Sequence, residues 1–189
     1  YDSFLAPRNI NKFDKILTIS QWEIPFLLKI GAEKNRIEYI PNGIPEEFFK
    51  KKKSAEENKI LFLGRISPKK KIETLIRAMS LVNKKTTLEI VGPKEDEYYS
   101  MLKSLVEKLK LRNVIFSEPI FDLPKKINKI DSCTIYVLPS RVEGMPQSLV
   151  EAMARGKIVV GSNSMAIRDL INDGKNGFLW NTLGQLQEK

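Results

Sequence analysis

The sequence contains no histidine and one cysteine, Cys133, in 189 residues. The missing histidine excludes Ser-His-Asp and Cys-His nucleophile systems and every histidine metal site. A single cysteine cannot form an internal disulfide, so a reducing, cytoplasmic compartment is the plain expectation. No apolar run is long enough to cross a bilayer, and the residues from Tyr1 onward lack the layout of a signal peptide. No Asp-x-Asp pair is evident, so a carboxylate cluster for a diphosphate-bound divalent metal is not expected, nor is any other metal or cofactor. No Gly-x-Gly-x-x-Gly follows a strand-like run, which argues against a dinucleotide-binding dehydrogenase. The chain does not begin with Met, and a fragment is therefore expected.

What is present is the composition of an ordinary globular domain, 42% hydrophobic and 29% charged, ample for a buried core. The net charge is +9. That favours acidic partners: phosphorylated small molecules, nucleic acid or an anionic membrane surface. Charge alone does not choose among them. Much of it sits at 50–53 and 69–71, and for most single lysines a solubilising surface is the simpler reading.

From residue 59 the pattern is regular. Short apolar runs at 59–64 (KILFLG), 86–92 (TTLEIVG), 113–117 (NVIFS), 134–138 (TIYVL), 157–161 (KIVVG) and 177–180 (GFLW) read as buried strands. Between them, Ile72, Leu75, Ile76, Met79 and Val82 recur at helical spacing, as do Tyr98, Leu102, Leu105, Val106 and Leu109. A weak helix opened by Pro124 is expected at 123–130. A helix begins at Pro146, runs to Arg155 and ends at Gly156. A short one lies near 166–171. Alternating strands and helices predict an α/β fold, a Rossmann-like parallel sheet with helices on both faces. Such sheets bind ligands at the carboxyl ends of their strands. Residues 14–20 and 36–40 read as further strands around a helix at 21–30. A lysine-rich exposed segment then crosses to residue 58.

Three segments could carry chemistry. Gly64-Arg65-Ile66-Ser67-Pro68-Lys69-Lys70 follows the first strand of the main domain. Glycine permits close backbone approach, Arg65 offers a planar fork of donors and Lys70 a mobile charge, each just before a helix start. A charge-assisted bond there contributes ~1.5–3 kcal/mol. The same residues equally admit Arg65 paired with a nearby carboxylate and Lys70 simply exposed. In the second segment, SRVEGMPQSLVE from Ser140 to Glu151, Glu143 complements a helix start. Glu151 falls on the apolar stripe of Leu149, Val150, Met153 and Ala154, so it needs a partner, and ligand hydroxyls would serve. The amides of Gln147, Ser148 and Leu149 are expected to be free. Third, backbone groups at Glu118-Pro119-Ile120 either read the edge of a base or form an ordinary strand exit.

Gly64-Arg65 with Ser67-Pro68-x-Lys70, Val91-Gly92, Leu138-Pro139-Ser140 and above all Glu143-Gly144-x-Pro146 with Glu151 resemble one family. It is the C-terminal, donor-binding domain of family 4 retaining glycosyltransferases (glycosyl transferases group 1), which have the two-Rossmann-domain architecture called GT-B. Ile40-Pro41-Asn42-Gly43-Ile44 resembles the family's interdomain hinge, and Asp173-Gly174-x-x-Gly177-Phe178-Leu179 its late turn and strand. The resemblance implies three segments: 1–40, a remnant of the N-terminal acceptor domain; 41–58, hinge and linker; and 59–189, the nucleotide-sugar-binding domain.

The resemblance also implies roles. Arg65 and Lys70 would bind the donor diphosphate and stabilise it as leaving group, with Gly64 close by. Glu143 would contact the donor sugar, beside the backbone of Gly144, Met145 and Pro146. Ser148 and Leu149 amides would hold phosphate, Glu151 the ribose and Ile120 the base. The donor would be a UDP-, GDP- or ADP-linked sugar, transferred without a metal to a glycan or lipid acceptor. Lys71 departs from the family's usual glycine. The family's N-terminal glycine-rich loop and histidine are missing, so the chain is expected to bind donor and turn over poorly. Peripheral membrane association stays compatible with this, since lysines attract anionic lipid. The competing readings are another nucleotide-sugar enzyme, such as an epimerase or a phosphorylase, and a basic module for nucleic acid or membrane. Zinc-finger spacing, an aromatic RNA-binding motif and an obvious recognition helix are all lacking.

Overall fold

The computed structural model describes residues 9–50 and 55–181. The lysines at 51–53 and the segment 182–189 lie outside the described residues. A small parallel pair, β1 (Ile16–Thr18) and β2 (Ile37–Tyr39), precedes the main sheet. They are joined by a 3₁₀ turn (Gln21–Glu23) and α1 (Ile24–Lys29). Pro25, which has no N–H to donate, sits in the first turn of α1, so the expected helix at 21–30 is split in two.

The main sheet has six strands: β3 (Lys59–Leu63), β4 (Thr87–Val91), β5 (Val114–Ser117), β6 (Ile135–Leu138), β7 (Ile158–Ser162) and β8 (Phe178–Trp180). All neighbours pair in parallel, in the order β5-β4-β3-β6-β7-β8. The order reverses between β3 and β6, the arrangement of a doubly wound sheet. The helices are α2 (Ile72–Ala78), α3 (Asp96–Lys108), α4 (Leu123–Ser132), α5 (Gln147–Ala154) and α6 (Met165–Arg168). Helices α2 and α3 pack on each other, while Arg155 at the end of α5 reaches Asp131 of α4. Right-handed crossovers in opposite directions place these two pairs on opposite faces.

Burial explains why the strands read as continuous apolar runs rather than alternating ones. Leu61, Phe62, Leu88, Ile90 and Tyr136 are all fully buried, because both faces are covered. Where β3 and β4 leave the sheet, their backbones come close. A Cβ on Gly92 would lie 2.0 Å from Gly64 O, so only glycine fits there.

Three expectations need correction. Helix α2 ends at Ala78, not at Val82; Val82 packs on the core from a turn. Helix α4 is no weak element. Asp122 caps it by accepting from Lys125 N at 2.9 Å, and it runs on to Ser132. The segment 41–58 is not simply an exposed crossing. Phe48, in a 3₁₀ turn (Glu46–Phe49), is fully buried in the core, and Arg155 Nη1 donates to its carbonyl at 3.0 Å.

Two lysines take left-handed backbone. Lys71 (φ 52°) joins the 3₁₀ turn Pro68–Lys70 to α2. The lysine therefore adopts the conformation for which glycine is the easy choice. Lys110 (φ 51°) follows α3. Its N–H donates to Glu107 O (2.9 Å) and that of Leu111 to Val106 O (3.1 Å), closing the helix with paired terminal bonds.

Candidate functional site

The loops after β3 and β6 meet at the point where the strand order reverses. Backbone joins them: Arg141 N–H donates to Lys69 O at 2.9 Å. Between them opens a cleft of 680 Å³ lined by Arg65, Ser67, Lys69, Lys70, Glu143 and Gly144, among others. An open crevice at this position is where a doubly wound sheet receives its ligand.

Within the cleft, Lys70 rather than Arg65 takes a carboxylate. Lys70 Nζ lies 2.5 Å from Glu143 Oε1, with both side chains largely shielded from solvent. Arg65 is exposed and makes no ion pair or side-chain hydrogen bond among the described residues. The ordinary reading open in the sequence, Arg65 paired with a carboxylate and Lys70 simply exposed, is reversed in the structure. The cleft therefore offers an unpaired guanidinium beside a preformed ion pair. A bound dianion would meet one cation without competition and a second by sharing Lys70 with Glu143.

Beneath the cleft, Tyr136 ties the two loops to one frame. Its buried hydroxyl donates to Leu63 O (3.1 Å) and lies 2.7 Å from Ser148 Oγ, which donates in turn. Burial pushes this phenol far up, and the fields of Glu151 and Glu143 push the same way, outweighing the hydrogen bonds from its neighbours. Tyr136 is thus a neutral bridge between the end of β3 and the start of α5. Sequence reading took it only as strand.

The remaining expected residues do not line this cleft. Pro146 is buried at the mouth of α5 and Met145 stands beside it. Leu149 N–H closes the first turn of α5 on Pro146 O (3.0 Å), so its amide is not free as expected. Leu149's side chain lies in the core. Glu151 is buried, and its partner is Lys126 of α4, with Nζ 2.6 Å from Oε1. Its other oxygen, Oε2, is buried with no hydrogen-bond partner. That orphaned acceptor is an expensive feature unless a ligand hydroxyl or water meets it. Ile120 is half-buried just beyond β5, packed against the core.

The segment after β1 also reaches the site, which sequence reading missed. Gly144 O accepts from Ser20 Oγ (2.5 Å) and Trp22 Nε1 (3.2 Å). Trp22 N–H donates to Asp169 (2.8 Å), and Asn42 N–H lies 3.1 Å from Met145 Sδ. The Glu143-Gly144-Met145 loop is held from both sides. Only contacts at high sequence separation show this, and no local pattern announces them. Among the described residues no helix is long and apolar enough to cross a membrane.

Comparison with known proteins places this geometry. An uncharacterized glycosyltransferase of Haemophilus influenzae is 33% identical over 176 residues, covering 88% of this chain and 47% of that protein. A D-inositol 3-phosphate glycosyltransferase of Paenarthrobacter aurescens is 26% identical over 164 residues, covering 79% of this chain and 40% of that one. The chain thus spans about half the length of the curated relatives it matches. Among solved structures, Anabaena HepE in complex with UDP and glucose superposes with a TM-score of 0.86 at 22% identity, covering 97% of this chain and 54% of that one. A glycosyltransferase from Rickettsia africae superposes with a TM-score of 0.84 at 19% identity, over 98% of this chain and 55% of its own. These likenesses show the Rossmann-like fold of GT-B glycosyltransferases. Residues 43–182 match the family model of glycosyl transferases group 1, and the chain belongs to that family.

Proposed function

We propose that this chain is the nucleotide-sugar-binding part of a retaining glycosyltransferase, which transfers a hexose from a nucleoside-diphosphate sugar to an acceptor hydroxyl. The observation that carries the reading is the unpaired Arg65 beside the Lys70–Glu143 pair, in a cleft at the reversal point of the sheet. As the bond from the anomeric carbon to the diphosphate breaks, negative charge grows on the departing phosphate oxygen. Arg65 and Lys70 stabilise that charge, an electrostatic contribution with no call for proton transfer from the protein. Glu143 holds the donor sugar's hydroxyls and positions Lys70. The orphaned Oε2 of Glu151 accepts from the ribose. The amides of Gln147 and Ser148 at the start of α5 face phosphate, and the backbone at Ile120 the base. Gly144 lines the cleft, and Gly64, Met145 and Pro146 carry the backbone that flanks it, without side-chain chemistry of their own.

HepE carries UDP and UDP-glucose in its complexes, which makes UDP the first donor to try here. The division into an acceptor-side remnant (1–40), a linker (41–58) and a donor domain (59–189) belongs to the same reading. The β1–β2 unit exposes Phe13, Leu17 and Phe26, apolar surface of the kind that another part of a protein covers. The acceptor, a glycan or a lipid, would then be held across the cleft by that part. The site uses no metal in this account.

A thermal-shift and calorimetric panel of UDP, GDP, ADP and their hexose conjugates tests donor binding. One diphosphate should bind well and the other two weakly. The anomeric configuration of the product, read by proton NMR from a complete enzyme, tests retention. Inverted product, or a folded chain indifferent to every nucleotide, would refute the proposal.

A further inference from the structure

A second groove lies across the Lys69–Arg141 backbone bond from the donor cleft, at the carboxyl ends of β6, β7 and β8. Its volume is 380 Å³, and its lining includes Lys71, Ser140, Arg141, Asn163, Ser164 and Trp180. Three of these bring buried polar atoms with no hydrogen-bond partner: Ser140 Oγ, Ser164 Oγ and Trp180 Nε1. Ser140 is fully buried and Trp180 is 7% exposed. Buried polar atoms are nearly always satisfied, and three orphans along one groove need a common explanation. The groove is also cationic. Arg141 is exposed and its side chain has no ion pair or hydrogen bond among the described residues. Among the described residues Lys71 has only a loose pairing with Glu73 at 3.5 Å, and none of the described residues that line the groove is a carboxylate.

We propose that this groove is a second oxyanion site, distinct from the donor cleft, which takes a phosphate group. Two cations, two hydroxyls and an indole N–H form a set rich in donors. Phosphate, with acceptor oxygens on all sides, satisfies such a set, and a neutral hydroxyl does not. The left-handed backbone at Lys71 sends Lys69 and Lys70 to the donor cleft and Lys71 to this groove, so one turn serves both. Resting on the donor reading above, the phosphate would belong to the acceptor, either a soluble phosphorylated sugar or polyol, or a lipid phosphate.

The test uses the chain in an Arg65→Ala background, which removes the main anion contact of the donor cleft. The outcome then does not depend on whether the donor reading holds. The sequence has two tryptophans, so nitrogen–proton spectra show two indole signals, and Trp22→Phe assigns them. Inorganic phosphate should shift the Trp180 indole signal in a saturable way. Arg141→Ala should weaken that binding by about tenfold or more, the effect of one charge-assisted contact, with the fold unchanged. Arg141 is exposed, so its variant is expected to fold. Phosphatidylcholine vesicles with and without phosphatidic acid separate the sources: an indole shift specific to phosphatidic acid assigns a lipid phosphate, and a response to free phosphate alone assigns a soluble one. An indole signal unmoved by either, or an unchanged phosphate titration in Arg141→Ala, overturns the proposal.

Discussion

Arg65 and Lys70 show how two cations of one short loop come to differ. Lys70 is held by a carboxylate from a loop 73 residues away, and Arg65 is left open. Arg65→Ala should therefore leave stability unchanged within about 0.5 kcal/mol, since the side chain is exposed and makes no contact that folding depends on. Lys110 carries a different cost. A non-glycine residue in left-handed backbone costs about 1–2 kcal/mol, partly offset by the greater freedom glycine regains on unfolding. Lys110→Gly should raise stability by about 0.5–1 kcal/mol, seen as a higher urea midpoint with an unchanged slope. Neither difference was legible in the sequence. Which lysine finds a carboxylate depends on loops brought together by the fold, and φ at a lysine has no signature of its own.

Elements are joined by buried charges as much as by apolar contact. Arg155 donates two bonds to Asp131, at 2.7 and 2.8 Å, both side chains buried, and thereby clamps α5 to α4. Asp131→Ala would strand that guanidinium, and a loss of about 3–5 kcal/mol by chemical denaturation is expected. In β4, Glu89 accepts from Lys129 (2.7 Å) and Ser117 (2.6 Å) and lies 3.2 Å from Lys59. Burial pushes its carboxyl up, but the bonds from Lys129 and Ser117 and the charges of Lys129 and Lys59 together hold it below the usual range. A depressed folded value means that the stabilisation is present above the unfolded value, about 4.3, and is lost as pH falls through the folded one. Stability should fall below about pH 5, and Glu89→Gln should flatten that part of the pH profile while lowering stability at neutral pH. The strands and most helices were legible because period and length agree. Their ends were not, because those depend on caps such as Asp122 and on where the chain can turn. Glu89 stands in a run that otherwise reads as buried strand, and the partners that let it be buried are 28–40 residues distant.

At the scale of the molecule, the alternation of strands and helices sufficed to predict a parallel sheet, and a cleft opens at its carboxyl edge. The reversal between β3 and β6 puts Arg65 and Glu143 in one cleft. Their proposed role in binding rests on the family pattern, for the residues alone admit Glu143 as no more than the ion-pair partner of Lys70. The contact of Ser20 and Trp22 with Gly144 was beyond reach, since it joins segments more than 120 residues apart. That contact also implies that changes near residue 20 act on the proposed donor site. Trp22→Ala is expected to loosen the Glu143 loop and weaken nucleotide binding about threefold to tenfold, measured by titration, without touching the cleft.

On the proposed function a nucleoside diphosphate binds where the sheet reverses, held by Arg65. Calorimetric titration of the chain and of Arg65→Ala with UDP, followed by GDP and ADP, tests it most directly. One diphosphate should bind, about tenfold or more weakly in Arg65→Ala, with the melting temperature of the unliganded variant unchanged. A folded chain that binds none of the three, or an Arg65→Ala variant that binds as tightly as the parent, would contradict it.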